Sequence, residues 1–170
     1  GACIGFISTC ASLHVGADNV TAVEANPELI GPIKRMGRLN STPFDVVNAI
    51  IAKNSKYKVF RANESIYSSS ESLRSGVRST SQVKCIELQD LPWAQRATFI
   101  ILDIEGGEYD FFRDFEMPSC VNKVLVEFHG IKKNSGLKTN YYPRTLRRLE
   151  DQSFRLLDVI GRVHFFARSC

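Results

Sequence analysis

The chain has no apolar run near the ~20 residues that a membrane-spanning helix requires, so no span is expected. It has no Cys-x-x-Cys pair. Its five cysteines, Cys3, Cys10, Cys85, Cys120 and Cys170, are odd in number and scattered. That argues against a disulfide framework and against a cysteine-built zinc centre. A reducing, cytoplasmic setting is the expectation. Gly-x-Gly-x-x-Gly is absent as well, which counts against a nicotinamide dinucleotide. Charge of one sign is scarce: the net +4 is mild, and nucleic-acid binding needs a concentrated basic face. The start lacks an initiator Met, a signal-peptide pattern and a targeting segment. Its first residue is a glycine that reads as part of a loop already under way, so truncation at the N-terminus is expected.

What is present suits a soluble globular protein. The 170 residues are 44% hydrophobic and 24% charged, and one domain is the default. A domain of this size buries roughly 70% of its unfolded surface. Phe99 to Leu102 is an unbroken apolar run, which reads as a strand buried on both faces. Asp103, Glu105 and Glu108 follow it around Gly106 and Gly107. In open α/β sheets, ligands bind where such strand ends leave the core.

The order of elements points to the same architecture. Gly1 to Gly5 reads as a glycine turn entering a helix with Ile4, Ile7 and Ala11 on one face. Val20 to Glu24 reads as a strand, and Pro27 opens a helix over Glu28 to Leu39. Phe44 to Ala52 reads as a buried strand that forms a hairpin with Tyr57 to Phe60. Ser65 to Gln82 reads as a loop, either a surface connection or a lid. Further strands are expected at Val83 to Leu88 and Val121 to Gly130, and helices at Tyr109 to Phe115 and Pro143 to Gln152. Lys132 to Asn140 reads as a polar loop. Arg147 and Arg148 read as a solvated face, His14 and His164 as structural residues, and Trp93 as packing for a turn. Phe154 to Val159 and Arg162 to Ala167 form a terminal hairpin around Gly161. Strands alternating with helices imply a doubly wound, mostly parallel Rossmann-like sheet, with the hairpin as an antiparallel edge.

Two strand ends carry candidate chemistry. A glycine turn entering a helix offers backbone N–H groups, and Glu24 lies about 20 residues beyond Gly5, a spacing that suits a ribose diol. The same residues also read as a structural turn and an exposed glutamate. At the other end, Asp103, Glu105 and His129 are candidates for a general base, because adjacent parallel strands bring their ends together. His129 is the first choice, with an imidazole that titrates near neutrality. It also reads as a core or loop histidine bonded to backbone. Glu105 reads equally as a cap for the Gly106–Gly107 turn or the next helix, and Glu108 as an acid favoured by a helix dipole. Asp103 and Glu105 are oxygen donors that a hard cation would accept, although no metal site is expected.

Five segments in order then carry a resemblance: Gly-Ala-Cys-Ile-Gly-Phe, Ala-Val-Glu-Ala-Asn-Pro, Val-Val-Asn-Ala-Ile, Leu-Asp-Ile-Glu-Gly-Gly-Glu and Val-Glu-Phe-His. Together they resemble the FkbM family of S-adenosylmethionine-dependent methyltransferases, over nearly the whole chain. The resemblance implies a single methyltransferase-like domain whose first strand is missing here. It implies that Gly1 and Gly5 approach the methionine part of S-adenosylmethionine, and that Glu24 takes the ribose hydroxyls. Ala25 and Asn26 would lie beside the adenosine, Asn48 and Ala49 beside the adenine, and Asp103 near the transferable methyl. Gly107 stands where alanine is more usual. The acceptor would be a hydroxyl of a sugar, a glycan or a small metabolite. The competing expectations are a non-catalytic interaction module on the same fold and an NAD(P)-dependent oxidoreductase.

Overall fold

A computed structural model of the chain describes residues 1–63, 77–129 and 141–169. Two compact units divide it: Gly1–Ile50 with Asn54–Ile86, and Ile51–Lys53 with Glu87–Cys170. Each is built around its own strands.

In the first unit the opening turn closes through a bond from the Gly5 N–H to the Ala2 carbonyl, at 2.8 Å. Gly5 adopts φ 84°, in the left-handed region, and a Cβ there would lie 3.2 Å from the Ile33 backbone. Both facts favour glycine at this position. Helix α1 (Phe6–Val15) follows, and it buries Thr9 and Ser12. The expected apolar face is a correction, because Ile4 and Ile7 are exposed. The β-branched run then gives strand β1 (Thr21–Glu24). Asn26 accepts the Glu28 N–H on its side chain, and Pro27–Leu29 turns once before helix α2 (Ile30–Leu39). Helix α2 buries Ile33 against Ala22 and Phe44.

Strand β2 (Asp45–Asn48) pairs in parallel with β1, setting Glu24 opposite Asn48. The expected continuous strand from Phe44 to Ala52 breaks at Ala49, and β3 (Ile50–Ile51) joins a different sheet. That sheet has the order β3-β5-β4, with β4 (Tyr57–Asn63) antiparallel to β5 (Val77–Ile86). Tyr57 to Phe60 therefore forms its hairpin with the chain that follows, not with Phe44 to Ala52. The reason is visible in the burial: Phe60 and Val83 pack together, with Ile50 and Ala25 against them. The expected loop over Ser65 to Gln82 is corrected at its end, since Val77 onward is strand. A run of polar residues with few apolar ones reads as loop, but its ladder to β4 supplies the backbone bonds. Residues 64–76 lie outside the described residues, as does the polar loop expected over Lys132 to Asn140.

The second unit holds β6 (Phe99–Leu102), α3 (Glu108–Asp114), β7 (Lys123–Glu127), α4 (Tyr141–Asp151), β8 (Phe154–Ile160) and β9 (Val163–Arg168). The sheet order is β6-β7-β9-β8, with β6 and β7 parallel and β9 antiparallel to both its neighbours. Helix α3 buries Phe111 and Phe112, and Phe115 is buried just beyond its end. Val124, Val126 and Phe128 alternate inward along β7 and beyond. His164 is buried, with its Nε2 2.6 Å from the Tyr142 hydroxyl, a structural role as read from the sequence. Strand β6 corrects one expectation. Phe99 and Ile101 are 45% and 41% exposed, whereas Leu102 is 5% exposed. Side chains along a strand alternate between faces, so one uncovered face exposes both residues.

The class is thus mixed α/β. Parallel pairs β1–β2 and β6–β7 and the antiparallel β9–β8 edge are the expected pieces. Hydrogen bonds join them into three sheets among the described residues rather than one continuous sheet. No helix among those residues is long and apolar enough to cross a membrane. No disulfide joins the four cysteines described.

Candidate active site

The first set of site residues gathers at the ends of β1 and β2, with Glu24 at its centre. The Glu24 side chain is 6% exposed. Its Oε2 accepts the Cys3 N–H at 2.9 Å, and its Oε1 accepts the Asn26 N–H at 2.8 Å. The Glu24 carbonyl accepts from Asn48 Nδ2 at 2.9 Å and from the Ala49 N–H at 3.1 Å. Asn48 Nδ2 also donates to the Ala25 carbonyl, at 3.1 Å. Glu24, Ala25, Asn26, Asn48 and Ala49 are therefore one bonded group, and Glu24 ties it to the turn that holds Gly1 and Gly5. A glutamate binding backbone N–H groups was not the exposed residue of the structural alternative. Its carboxylate offers about four acceptor sites, and two of them are taken here.

The second set is built on the parallel pair β6–β7. Leu102 lies opposite Val126, so Asp103 leaves β6 level with the end of β7. Glu105 (φ 51°) and Gly106 (φ 105°) then turn the chain with two left-handed residues in succession. Such a conformation costs a non-glycine residue of order 1–3 kcal/mol. Glu108 compensates. It is fully buried, and its Oε1 accepts the N–H groups of Ile104 at 3.2 Å and Gly106 at 3.1 Å. That same oxygen lies 2.8 Å from Nδ1 of His129.

His129 follows β7 with a side chain 12% exposed. Its carbonyl accepts the Tyr109 hydroxyl at 2.9 Å, and Tyr109 stacks on Phe128. With Nδ1 turned to Glu108, Nε2 faces three other carboxylates: Glu105 at 3.5 Å, Glu127 at 3.6 Å and Asp103 at 3.9 Å. Arg162 meets Glu127 at 2.7 Å. Burial pushes the Asp103 carboxyl above its ordinary range, and the Glu127 charge adds to this. Burial raises Glu105 in the same way, partly offset by His129. Burial, with the neighbouring Glu108 charge, raises the Tyr109 hydroxyl to about 12, so it donates as a neutral phenol at ordinary pH.

The structure thus brings Asp103, Glu105 and His129 together. It also places Glu108 in the cluster, beyond the helix-dipole role read for it. Glu127, Tyr109 and Arg162 were missed. Glu127 had a signal: it lies two residues before His129, and alternate residues of a strand share a face. Tyr109 and Arg162 had none, since a hydroxyl reaching a distant carbonyl leaves no local pattern.

Gly107 opens α3 with an ordinary helical φ of −80°. A Cβ there would lie 3.2 Å from the Ile104 side-chain end. Gly107→Ala is expected to change stability by less than about 1 kcal/mol, because Ile104 can yield and the unfolded chain loses freedom. Thermal unfolding of the variant checks this.

A family model described as Methyltransferase FkbM domain matches residues 1–156. A match over this much of the chain defines a methyltransferase. The chain belongs to the FkbM methyltransferase family. Comparison with curated proteins and with solved structures gave no match.

Proposed function

We propose that this chain is an S-adenosylmethionine-dependent methyltransferase that methylates a hydroxyl oxygen of a sugar, glycan or small metabolite. The observation that carries the reading is His129, held through Nδ1 by the buried Glu108 so that Nε2 is left to act. A methyl sulfonium is already reactive, and alignment with the acceptor supplies most of the acceleration. A hydroxyl acceptor also has a proton to lose, and Nε2 of His129 takes it. Asp103 and Glu105 border that step, Asp103 beside the methyl group. On the cofactor side, Gly1 and Gly5 approach the methionine part and Glu24 binds the ribose diol with its remaining acceptor sites. Ala25 and Asn26 lie along the adenosine, and Asn48 and Ala49 along the adenine. The setting is a reducing, cytoplasmic one.

Calorimetric titration with S-adenosylmethionine, S-adenosylhomocysteine and NAD tests this. Binding of the first two alone is the expected result. Binding of NAD alone would make the chain an oxidoreductase, and binding of none a non-catalytic module. Glu24→Ala is expected to weaken S-adenosylmethionine by about 1–3 kcal/mol, since the diol and two backbone N–H groups lose their acceptor. Unchanged affinity in the same titration would remove Glu24 from the ribose role.

A further inference from the structure

His129 stands beyond the end of its strand. Strand β7 finishes at Glu127, and the Phe128 N–H still bonds to the Arg162 carbonyl at 3.0 Å. From there the first turn of α3 takes over. Oε1 of Glu108 already accepts the Ile104 and Gly106 N–H groups, so it accepts from Nδ1 of His129 as well, and the neutral ring carries its proton there. That leaves Nε2 as the basic nitrogen. The next residue, Tyr109, donates its hydroxyl to the His129 carbonyl at 2.9 Å. Two consecutive residues of one helix thus hold one histidine, the first by its ring and the second by its backbone.

The Tyr109 hydroxyl is itself aimed. Its ring is buried and stacks on Phe128, with centroids 5.7 Å apart. Phe128 is wholly buried among Phe112, Tyr142 and His164. Burial, with the Glu108 charge, pushes the phenol up to about 12, so it stays protonated and the bond keeps its direction.

We propose that Tyr109 is a positioning residue for His129, its hydroxyl fixing the backbone from which Nε2 reaches the acceptor proton. Its effect on rate rests on the methyl-transfer reading; its hold on the ring does not. With Glu108 alone the ring is held at one nitrogen, and the chain behind it is free to shift. A displacement of about 1 Å at a reacting group costs about 10²-fold in rate. Tyr109 acts here through His129 and touches neither cofactor nor acceptor, so binding does not depend on it.

Tyr109→Phe keeps the stacked ring and deletes only the hydroxyl. The kcat for methyl transfer should fall roughly 10–100-fold, with KM for the acceptor and S-adenosylmethionine affinity changed less than twofold. In a His129→Ala background the same substitution should cost no further rate, because groups that act through one another are not additive. A tyrosine that serves the fold alone would show no such dependence on His129. Magnetic resonance of the ring nitrogens gives a readout without turnover, since the chain has three histidines and His129→Ala identifies the signals of the missing one. At a pH where the ring is neutral, the wild-type chain should show the Nδ1–H tautomer alone, and Tyr109→Phe a mixture with Nε2–H. Unchanged kcat in Tyr109→Phe would overturn the proposal, and so would unchanged ring signals. A wild-type chain that transfers no methyl group sinks the methyl-transfer reading alone, and the ring signals still decide whether Tyr109 holds His129.

Discussion

Glu108→Ala is expected to destabilise the second unit by about 3–5 kcal/mol, the cost of breaking a buried charged network by removing one partner. The wild-type carboxylate is wholly buried and accepts from Ile104, Gly106 and His129. Alanine leaves two backbone N–H groups of the Glu105–Gly106 turn without an acceptor, where Glu105 already sits at a positive φ. It also leaves a cavity beside α3. For a chain of this length the loss corresponds to a fall in melting temperature of roughly 6–20 °C. Glu108→Gln keeps an oxygen for the two N–H groups and for His129, so it should lose only about 1–3 kcal/mol. Thermal unfolding of both variants gives the comparison. Equal, small losses would show that Glu108 supports neither the turn nor His129.

The parts of the fold that could be read from the sequence are those decided by local chemistry. Pro27 and Asn26 mark a helix start because a fixed φ and a capping side chain act within a few residues. Gly161 marks the last hairpin because its φ of 63° favours glycine. Strand partners are not local. Phe60 packs on Val83 across an intervening segment, and nothing in Tyr57 to Phe60 distinguishes that partner from Phe44 to Ala52. Face burial is not local either. Phe99 to Leu102 has the composition of a strand covered on both sides, and only the assembled sheet shows which face is open.

The site follows the same division. Asp103, Glu105 and His129 were legible because acids and a histidine at the ends of apolar runs are unusual, and parallel pairing makes those ends neighbours. The role of Glu108 was not. An acid in the first turn of a helix has a sufficient local explanation in the dipole, which hides a contact to a residue 21 positions away. Glu24 is the reverse case. The spacing singled it out, and the structure shows it holding the turn that the spacing pairs it with.

His129→Ala is expected to lower methyl transfer by about 10²–10⁴-fold, the range for a positioned acid–base group, with S-adenosylmethionine affinity changed less than twofold. Affinity should hold because the residues assigned to the adenosine, Glu24 and Asn48 among them, bond to one another and not to His129. Release of S-adenosylhomocysteine with a hydroxyl acceptor measures the first quantity, and calorimetry the second. Added imidazole should restore part of the rate, because the variant lacks the group that takes the proton. A variant that turns over at the wild-type rate without it would remove His129 from the chemistry. It would leave the histidine as a clamp between Glu108 and the Tyr109 hydroxyl, which its ring and carbonyl already join.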